Sequence, residues 1–162
     1  MAIIAKPVDR FGGQGVFKVC QDDTNASAIF EMLSDSEAKR VILQRCIPQA
    51  SVGDKRIILL NGAPLGVMLR VHPDHDHRNN MAVGGTVEKA TLTARDKEII
   101  NTIAPHLGRL GIHFSGIDVI GDYLIEVNVT SPTGIQEMNR LYGVSLENDV
   151  IQAIETMGAG LS

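Results

Sequence analysis

The stretch His113-Phe114-Ser115-Gly116-Ile117-Asp118-Val119-Ile120-Gly121-Asp122-Tyr123-Leu124-Ile125-Glu126-Val127-Asn128-Val129 decides how this chain is read. It reads as two short strands joined at Gly121-Asp122. Ile117 and Val119 alternate on the first strand, Ile125 and Val127 on the second. Side chains alternate with period two along a strand, so these four share a face only if Asp118 lies opposite Glu126. That register predicts a three-residue loop, Gly121-Asp122-Tyr123, with Gly121 or Asp122 at positive φ. The other face then gathers Asp118, Glu126 and Asn128. Two close carboxylates repel unless a proton or a cation lies between them. Three oxygen donors carrying two negative charges suit a hard cation such as Mg2+. The plainer reading is a solvated polar face, but directly opposed carboxylates are disfavoured without compensation.

The rest of the chain supports a soluble, globular α+β protein. Its 162 residues suffice for a core, and 44% hydrophobic with 21% charged is ordinary. A net charge of −4 and the lack of Trp argue against a nucleic-acid partner and base-stacking platforms. No apolar run approaches the ~20 residues that span a bilayer, and the start lacks the pattern of a signal peptide. Cys20 and Cys46 are too few for a disulfide framework; among apolar neighbours they read as buried free thiols, which fits a reducing cytoplasm.

Outward from the opening stretch, strands are predicted at 2–5, 16–20 and, as a buried strand, 41–44, with a short helix at 26–33. Residues 56–60 and 65–71 read as a hairpin around Asn61-Gly62, with Pro64 at the loop edge. A helix is predicted from Thr93, as N-cap, to Leu110, kinked at Pro105 and stopped at Gly111. Short helices follow at 134–142 and after Ser145. Hairpins with helices between them favour a mixed or antiparallel sheet flanked by helices over a Rossmann fold. One domain over 1–158 is expected, with a frayed, disordered tail at 159–162.

Four further groups carry candidate chemistry. Lys6-Pro7-Val8-Asp9-Arg10-Phe11-Gly12-Gly13-Gln14-Gly15 ends a strand on a lysine and follows it with a Gly-rich loop, which suits phosphate or is a plain hairpin loop. It lacks the Gly-Lys-Ser/Thr of a Walker A loop. Arg56, Arg70, Arg78, Asn79 and Asn80 form a set in which Arg70, at the end of an apolar strand, is either an edge charge or an anion ligand. His72-Pro73-Asp74-His75-Asp76-His77 reads as a solvated loop in preference to a metal site, since its spacing matches no ligand geometry. Val129-Thr130-Ser131-Pro132-Thr133-Gly134 supplies hydroxyls before a helix, for capping or for a substrate carboxylate.

In order along the chain, Lys6-Pro7…Gly12-Gly13, Gly53-Asp54-Lys55-Arg56, Arg78-Asn79-Asn80…Gly84-Gly85, Gly116-Ile117-Asp118-Val119-Ile120-Gly121 and Glu126-Val127-Asn128-Val129-Thr130-Ser131-Pro132-Thr133 resemble the prokaryotic glutathione synthetases of the ATP-grasp superfamily. The resemblance implies an ATP-grasp-type sheet and an ATP-dependent carboxylate–amine ligase. Such an enzyme joins γ-glutamylcysteine and glycine through an acyl phosphate. It implies phosphate contacts from Lys6, Gly12 and Gly13, an adenine-side hinge at Gln44, Arg45, Cys46 and Ile47, and Asp54 near the ribose. It also implies ligands to two Mg2+ ions between the β- and γ-phosphates, with Mn2+ as the alternative metal, in Asp118, Glu126 and Asn128. Arg70 would act on the developing phosphoryl charge, Arg78 and Asn80 on a covering loop, and Arg56, Ser131 and Thr133 on the peptide. Arg10 departs from a glycine usual in the family. The chain also enters the family pattern part-way, so the amino-terminal substrate domain and a second phosphate lysine are expected to be absent, with a second copy or a partner chain completing the site. A Mg-ATP- or peptide-binding remnant and another ATP-grasp amino-acid ligase are the alternatives.

Overall fold

The computed structural model describes residues 1–10, 12–71 and 85–160. They group into two compact units, one built on Met1–Val52 and the other on Gly53–Arg70 with the chain from Val87 onward.

The first unit is a three-stranded antiparallel sheet in the order β2-β1-β3, made of β1 (Ala2–Pro7), β2 (Phe17–Cys20) and β3 (Val41–Arg45), with helix α1 (Ala26–Ser34). Alternation sends Ala5 and Val19 to one face, where they bury against Leu33 with Ile3, Phe17, Ile29, Phe30 and Val41 around them. The other face carries Ile4, Lys6, Lys18, Gln44 and Cys20, because Ile4 lies opposite both Lys18 and Gln44, and Ala2 opposite Cys20. Two expectations change here. β3 is an edge strand with Ile42 and Leu43 42% and 58% exposed, not a buried one. Cys20 is exposed and Cys46 half-buried, because both lie away from the face that α1 covers.

After a 3-10 turn at Pro48–Ser51, the second unit holds a five-stranded sheet in the order β6-β5-β4-β7-β8. Its strands are β4 (Asp54–Leu60), β5 (Ala63–Val71), β6 (Thr86–Lys89), β7 (Phe114–Ile120) and β8 (Tyr123–Asn128). One face is closed by α2 (Ala94–Arg109). Ile57 and Leu59 of β4 and Ile117 and Val119 of β7 bury against Ile99, Ile100 and Leu107. Helix α2 continues through Pro105 and gives way to Gly111, at φ 69°. The other face meets α3 (Ile135–Tyr142) and α4 (Leu146–Ala159): a Cβ on Gly66 would touch Met138 and Leu146, and one on Gly134 would touch Met68. The Tyr142 hydroxyl accepts from Ala90 N–H (2.8 Å) and lies 2.9 Å from the Val67 carbonyl oxygen, tying α3 to β5.

Thr93 caps α2 as expected, and Asp96 completes a capping box: the Thr93 hydroxyl accepts from Asp96 N–H (3.1 Å), and Asp96 accepts from Thr93 N–H (2.8 Å). Lys55 of β4 also donates to Asp96, linking sheet and helix, a contact the sequence did not suggest. Ser145 holds the N-cap position of α4, but its side chain does not cap; Asn139 Oδ1 accepts from Leu146 N–H instead (2.9 Å).

Two hairpins set the sheet's registers. In β4–β5 the turn is Asn61-Gly62, with φ of 52° and 77°, as a two-residue primed turn requires. Leu59 pairs with Pro64 but Ile58 with Gly66, so Leu65 is an extra residue in a bulge and Pro64 sits inside the strand. In β7–β8 Asp118 lies opposite Glu126 as the alternation demands, but Ile120 pairs directly with Tyr123. The turn is therefore Gly121-Asp122, not three residues, and the odd residue is absorbed as a bulge at Ile125 between the Leu124 and Glu126 pairs.

Burial pushes the Asp96 carboxyl up, but the hydrogen bonds from Lys55 and Thr93 outweigh it and hold Asp96 below its ordinary value. Asp96→Asn is expected to cost about 1–3 kcal/mol at neutral pH. A depressed carboxyl contributes stability above its unfolded value of about 3.9 and loses it as pH falls through the folded value. The urea stabilities of variant and wild type should therefore converge in acid below about pH 4; a gap that stays constant there would refute the ion pair's role.

Gly53 has φ 125°, and a Cβ there would run into the Arg70 carbonyl oxygen. Backbone atoms cannot swing aside as a side-chain tip can. Gly53→Ala should lose about 2 kcal/mol or more in thermal or urea unfolding.

Candidate functional site

One row of side chains crosses four strands of the second unit. Glu126 of β8 lies opposite Asp118 of β7, Asp118 opposite Arg56 of β4, and Arg56 opposite Met68 of β5. On one side of this row lies the pair Asp54–Arg70, directly opposed on β4 and β5; on the other lies Asn128, opposite Gly116. All of these project to the face away from α2, because they alternate with its core residues.

Asp118 is 1% exposed and Arg56 5%. Arg56 forks onto Asp118, Nε donating to Oδ1 (2.5 Å) and Nη2 to Oδ2 (2.8 Å). Its Nη1 donates to the Thr133 carbonyl oxygen at 3.0 Å. Arg70 Nη2 reaches Asp118 Oδ2 at 3.0 Å and also donates to Asp54, while Arg70 Nε donates to Asp54 Oδ1 at 3.1 Å. The chain of charges thus runs Asp54–Arg70–Asp118–Arg56, two anions and two cations. Burial lowers the Arg70 guanidinium, but Asp118 and Asp54 outweigh that and hold it above its ordinary value. Burial raises the Asp54 carboxyl, with the Arg70 fork pulling against it.

The opposed carboxylates are therefore compensated differently from the sequence-based expectation. Asp118 is neutralised by two arginines, whereas Glu126 is exposed on an edge strand and no described residue pairs with its side chain. Asn128 Nδ2 lies 3.4 Å from Asp118 Oδ2 and 3.5 Å from the Gly116 carbonyl oxygen, so its Oδ1 is the oxygen left over. Among the described residues no cluster of three His, Cys, Asp or Glu side chains stands ready for a metal. This set offers two carboxylates and an amide, all oxygen donors, and that donor chemistry fits a hard dication. Glu126 and Asn128 would supply free oxygens, and Asp118 the buried negative charge behind them.

Of the remaining predicted residues, Arg56 is held within the buried network, and Thr133 contributes its backbone carbonyl to it. Neither Ser131 nor Thr133 caps α3; Gly134 occupies the N-cap with no side-chain bond. In the first unit Lys6 and Gln44 share a face, and Cys46 continues the strand pairing through its N–H to Ala2 O (3.1 Å); Arg45, opposite Ile3, faces the other way. Ile47 is extended before the 3-10 turn. Gly12 and Gly13 take φ of 67° and 74°, the left-handed region that glycine enters without steric cost. Arg78, Asn79, Asn80 and Gly84, and the His72–His77 run, lie outside the described residues.

The arrangement is that of an ATP-grasp fold. D-alanine–D-alanine ligase from Bacillus anthracis complexed with ATP superposes with a TM-score of 0.64 at 17% identity, over 96% of this chain and 52% of that one. The ATP-grasp ligase PsnB, complexed with a phosphomimetic precursor variant, Mg and ADP, gives 0.63 at 17% identity, over 96% and 46%. The family model for the prokaryotic glutathione synthetase ATP-grasp domain matches residues 1–143, and the chain belongs to that family. It is 48% identical to glutathione synthetase of Gloeobacter violaceus over 91% of this chain and 46% of that protein. It is 46% identical to that of Synechococcus elongatus over 96% and 48%. The chain spans about half the length of these curated relatives.

Removing one member of a buried ion pair strands its partner. Asp118→Asn should cost about 3–5 kcal/mol in urea unfolding. Glu126→Gln, two strands from Arg56 in the same row but exposed, should change stability by less than about 0.5 kcal/mol. Equal losses in the two variants would contradict this division.

Proposed function

We propose that this chain is the ATP-binding, catalytic part of an ATP-dependent carboxylate–amine ligase of glutathione synthetase type. Its reaction joins γ-glutamylcysteine to glycine. The observation that carries the reading is the Glu126–Asp118–Arg56 row with Asn128 beside it. There a neutralised ionic network ends in one carboxylate and one amide oxygen free to take a hard cation.

The substrate carboxylate attacks the γ-phosphorus of ATP, the bond to the β-phosphate oxygen breaks, and ADP leaves with that electron pair. The glycine amine then attacks the acyl carbon of the resulting acyl phosphate; inorganic phosphate departs and the amine loses a proton. Mg2+, held by Glu126, Asn128 and Asp118 as one ion or two, supplies neutralisation of polyphosphate charge when bound. Arg70 offers N–H donors to the phosphoryl oxygens as charge builds on them. Lys6 and the Gly12-Gly13 loop are assigned to the phosphates, with Lys6 as a point charge. Gln44, Cys46 and Ile47 are assigned to the adenine side, with Arg45 at the same hinge. Ser131 and Thr133 are assigned to the peptide substrate, with Arg56 supporting them from the buried network. Arg78 and Asn80 keep the covering-loop role that the resemblance implies. A cytoplasmic setting and small-molecule substrates belong to the same reading.

Calorimetry should show ATP binding that requires Mg2+ and that falls about tenfold or more in Glu126→Gln, a variant whose fold is unaffected. ADP release with γ-glutamylcysteine and glycine, absent from that variant, tests turnover. ATP binding that is identical with and without Mg2+ would overturn the assignment of the carboxylate face.

A further inference from the structure

Asp54 is the residue whose geometry departs most from the role the resemblance implies for it. A ribose ligand needs a carboxylate oxygen that a hydroxyl from outside can reach. Asp54 is 2% exposed. Both of its oxygens are taken by Arg70, Oδ1 by Nε at 3.1 Å and Oδ2 by Nη2. The two residues are direct cross-strand partners on β4 and β5. That opposition is set by the bulge at Leu65, without which Leu69 would face Asp54. Gly53 adds a close approach: its Cα comes so near the Arg70 carbonyl that no side chain fits.

The fork has a directional consequence. Nε and Nη2 of Arg70 are committed, Nη2 to Asp54 and to Asp118 at 3.0 Å. No described residue takes Nη1, whose two N–H groups form the edge of the guanidinium left open by the described residues. A planar guanidinium gripped along one edge by a carboxylate cannot rotate, so the direction of its free edge is fixed.

Resting on the ligase reading above, we propose that Asp54 is a positioning residue. It holds the Arg70 guanidinium so that Nη1 is aimed at the transferring phosphate, and it does not touch the ribose.

Three variants, Asp54→Asn, Arg70→Met and the double, are titrated with Mg-ATP and Mg-2′-deoxyATP by calorimetry, with thermal melts to establish folding. Asp54→Asn should weaken both nucleotides by the same factor, about tenfold, leaving their ratio as in wild type. In the Arg70→Met background, adding Asp54→Asn should change affinity less than about twofold, because the residue it acts through is gone. A purely structural role would lower the melting temperature without this loss of additivity in the folded protein. Should Asp54→Asn alone fail to fold, Arg70→Met and the double, which removes both buried charges, still give the comparison. A ribose ligand gives the opposite pattern: ATP weakens, 2′-deoxyATP does not, and the two substitutions add. Either result overturns the proposal. Failure of wild type to bind Mg-ATP is a separate outcome that removes the ligase reading and this inference with it.

Discussion

The burial of Asp118 is the constraint on which the second unit depends. A carboxylate 1% exposed has lost nearly all its water. An isolated buried charge is so costly that the group must be paired or give up its ionisation. Arg56 forks onto it from one neighbouring strand position and Arg70 reaches it from the next strand over. Arg70 brings its own desolvation, which Asp54 offsets. The network closes only as a set of four, and it must be built on adjacent, correctly registered strands. Its ionic core selects one pairing of β5, β4 and β7 and discriminates against two-residue slips, which would keep the apolar side chains on the buried face.

Register in both hairpins is corrected by a bulge of one residue, Leu65 in β5 and Ile125 in β8. Each tight turn, left alone, would carry its alternation straight into the strand. Arg70 would then face α2, and Glu126 would not lie opposite Asp118. The extra residue reverses the phase part-way along. Turn and core thus keep the geometry each prefers, while the side chains beyond the bulge are turned to the other face. The same device, used twice, brings Arg70 and Glu126 to the face that holds Asp118.

This explains which parts of the site the sequence revealed. The opposition of Asp118 and Glu126 agrees with the phase read from Ile117, Val119, Ile125 and Val127, although of these only Ile117 and Val119 are buried and Val127 is 36% exposed. The location of the odd residue did not follow: a three-residue loop and a two-residue turn with a bulge satisfy the same alternation. Asp54–Arg70 was hidden for the same reason, since counting from Asn61-Gly62 without the Leu65 bulge pairs Asp54 with Leu69. The compensation of Asp118 by arginine was missed because strand patterning describes one chain segment at a time, and Arg56 is brought in by the β4–β7 pairing across 62 residues. The cysteines were misread because apolar neighbours in sequence signal burial only where a helix covers both faces of a sheet, and α1 covers one.

Charge accounting separates what holds the second unit together from what it can bind. Asp54, Asp118, Arg56 and Arg70 sum to zero, so the buried network carries no net charge. Glu126 is the remaining charge of the described cross-strand row; it lies on the exposed edge strand, and no described residue pairs with its side chain. On the proposed reading, a cation drawn to Glu126 would find the Asn128 amide oxygen two pairs along the hairpin and the Asp118 carboxylate opposite, already fixed in place by its arginines. Little ordering is then left to be done on binding, because the oxygen donors sit on paired strands. On the proposed reading the arginines would also bound the strength of the cation site. They share the Asp118 charge, which would weaken the hold on a lone dication, while a polyphosphate arriving with the metal would bring anionic oxygens for Arg70 to meet. A site built this way would favour the metal–nucleotide complex over either component alone.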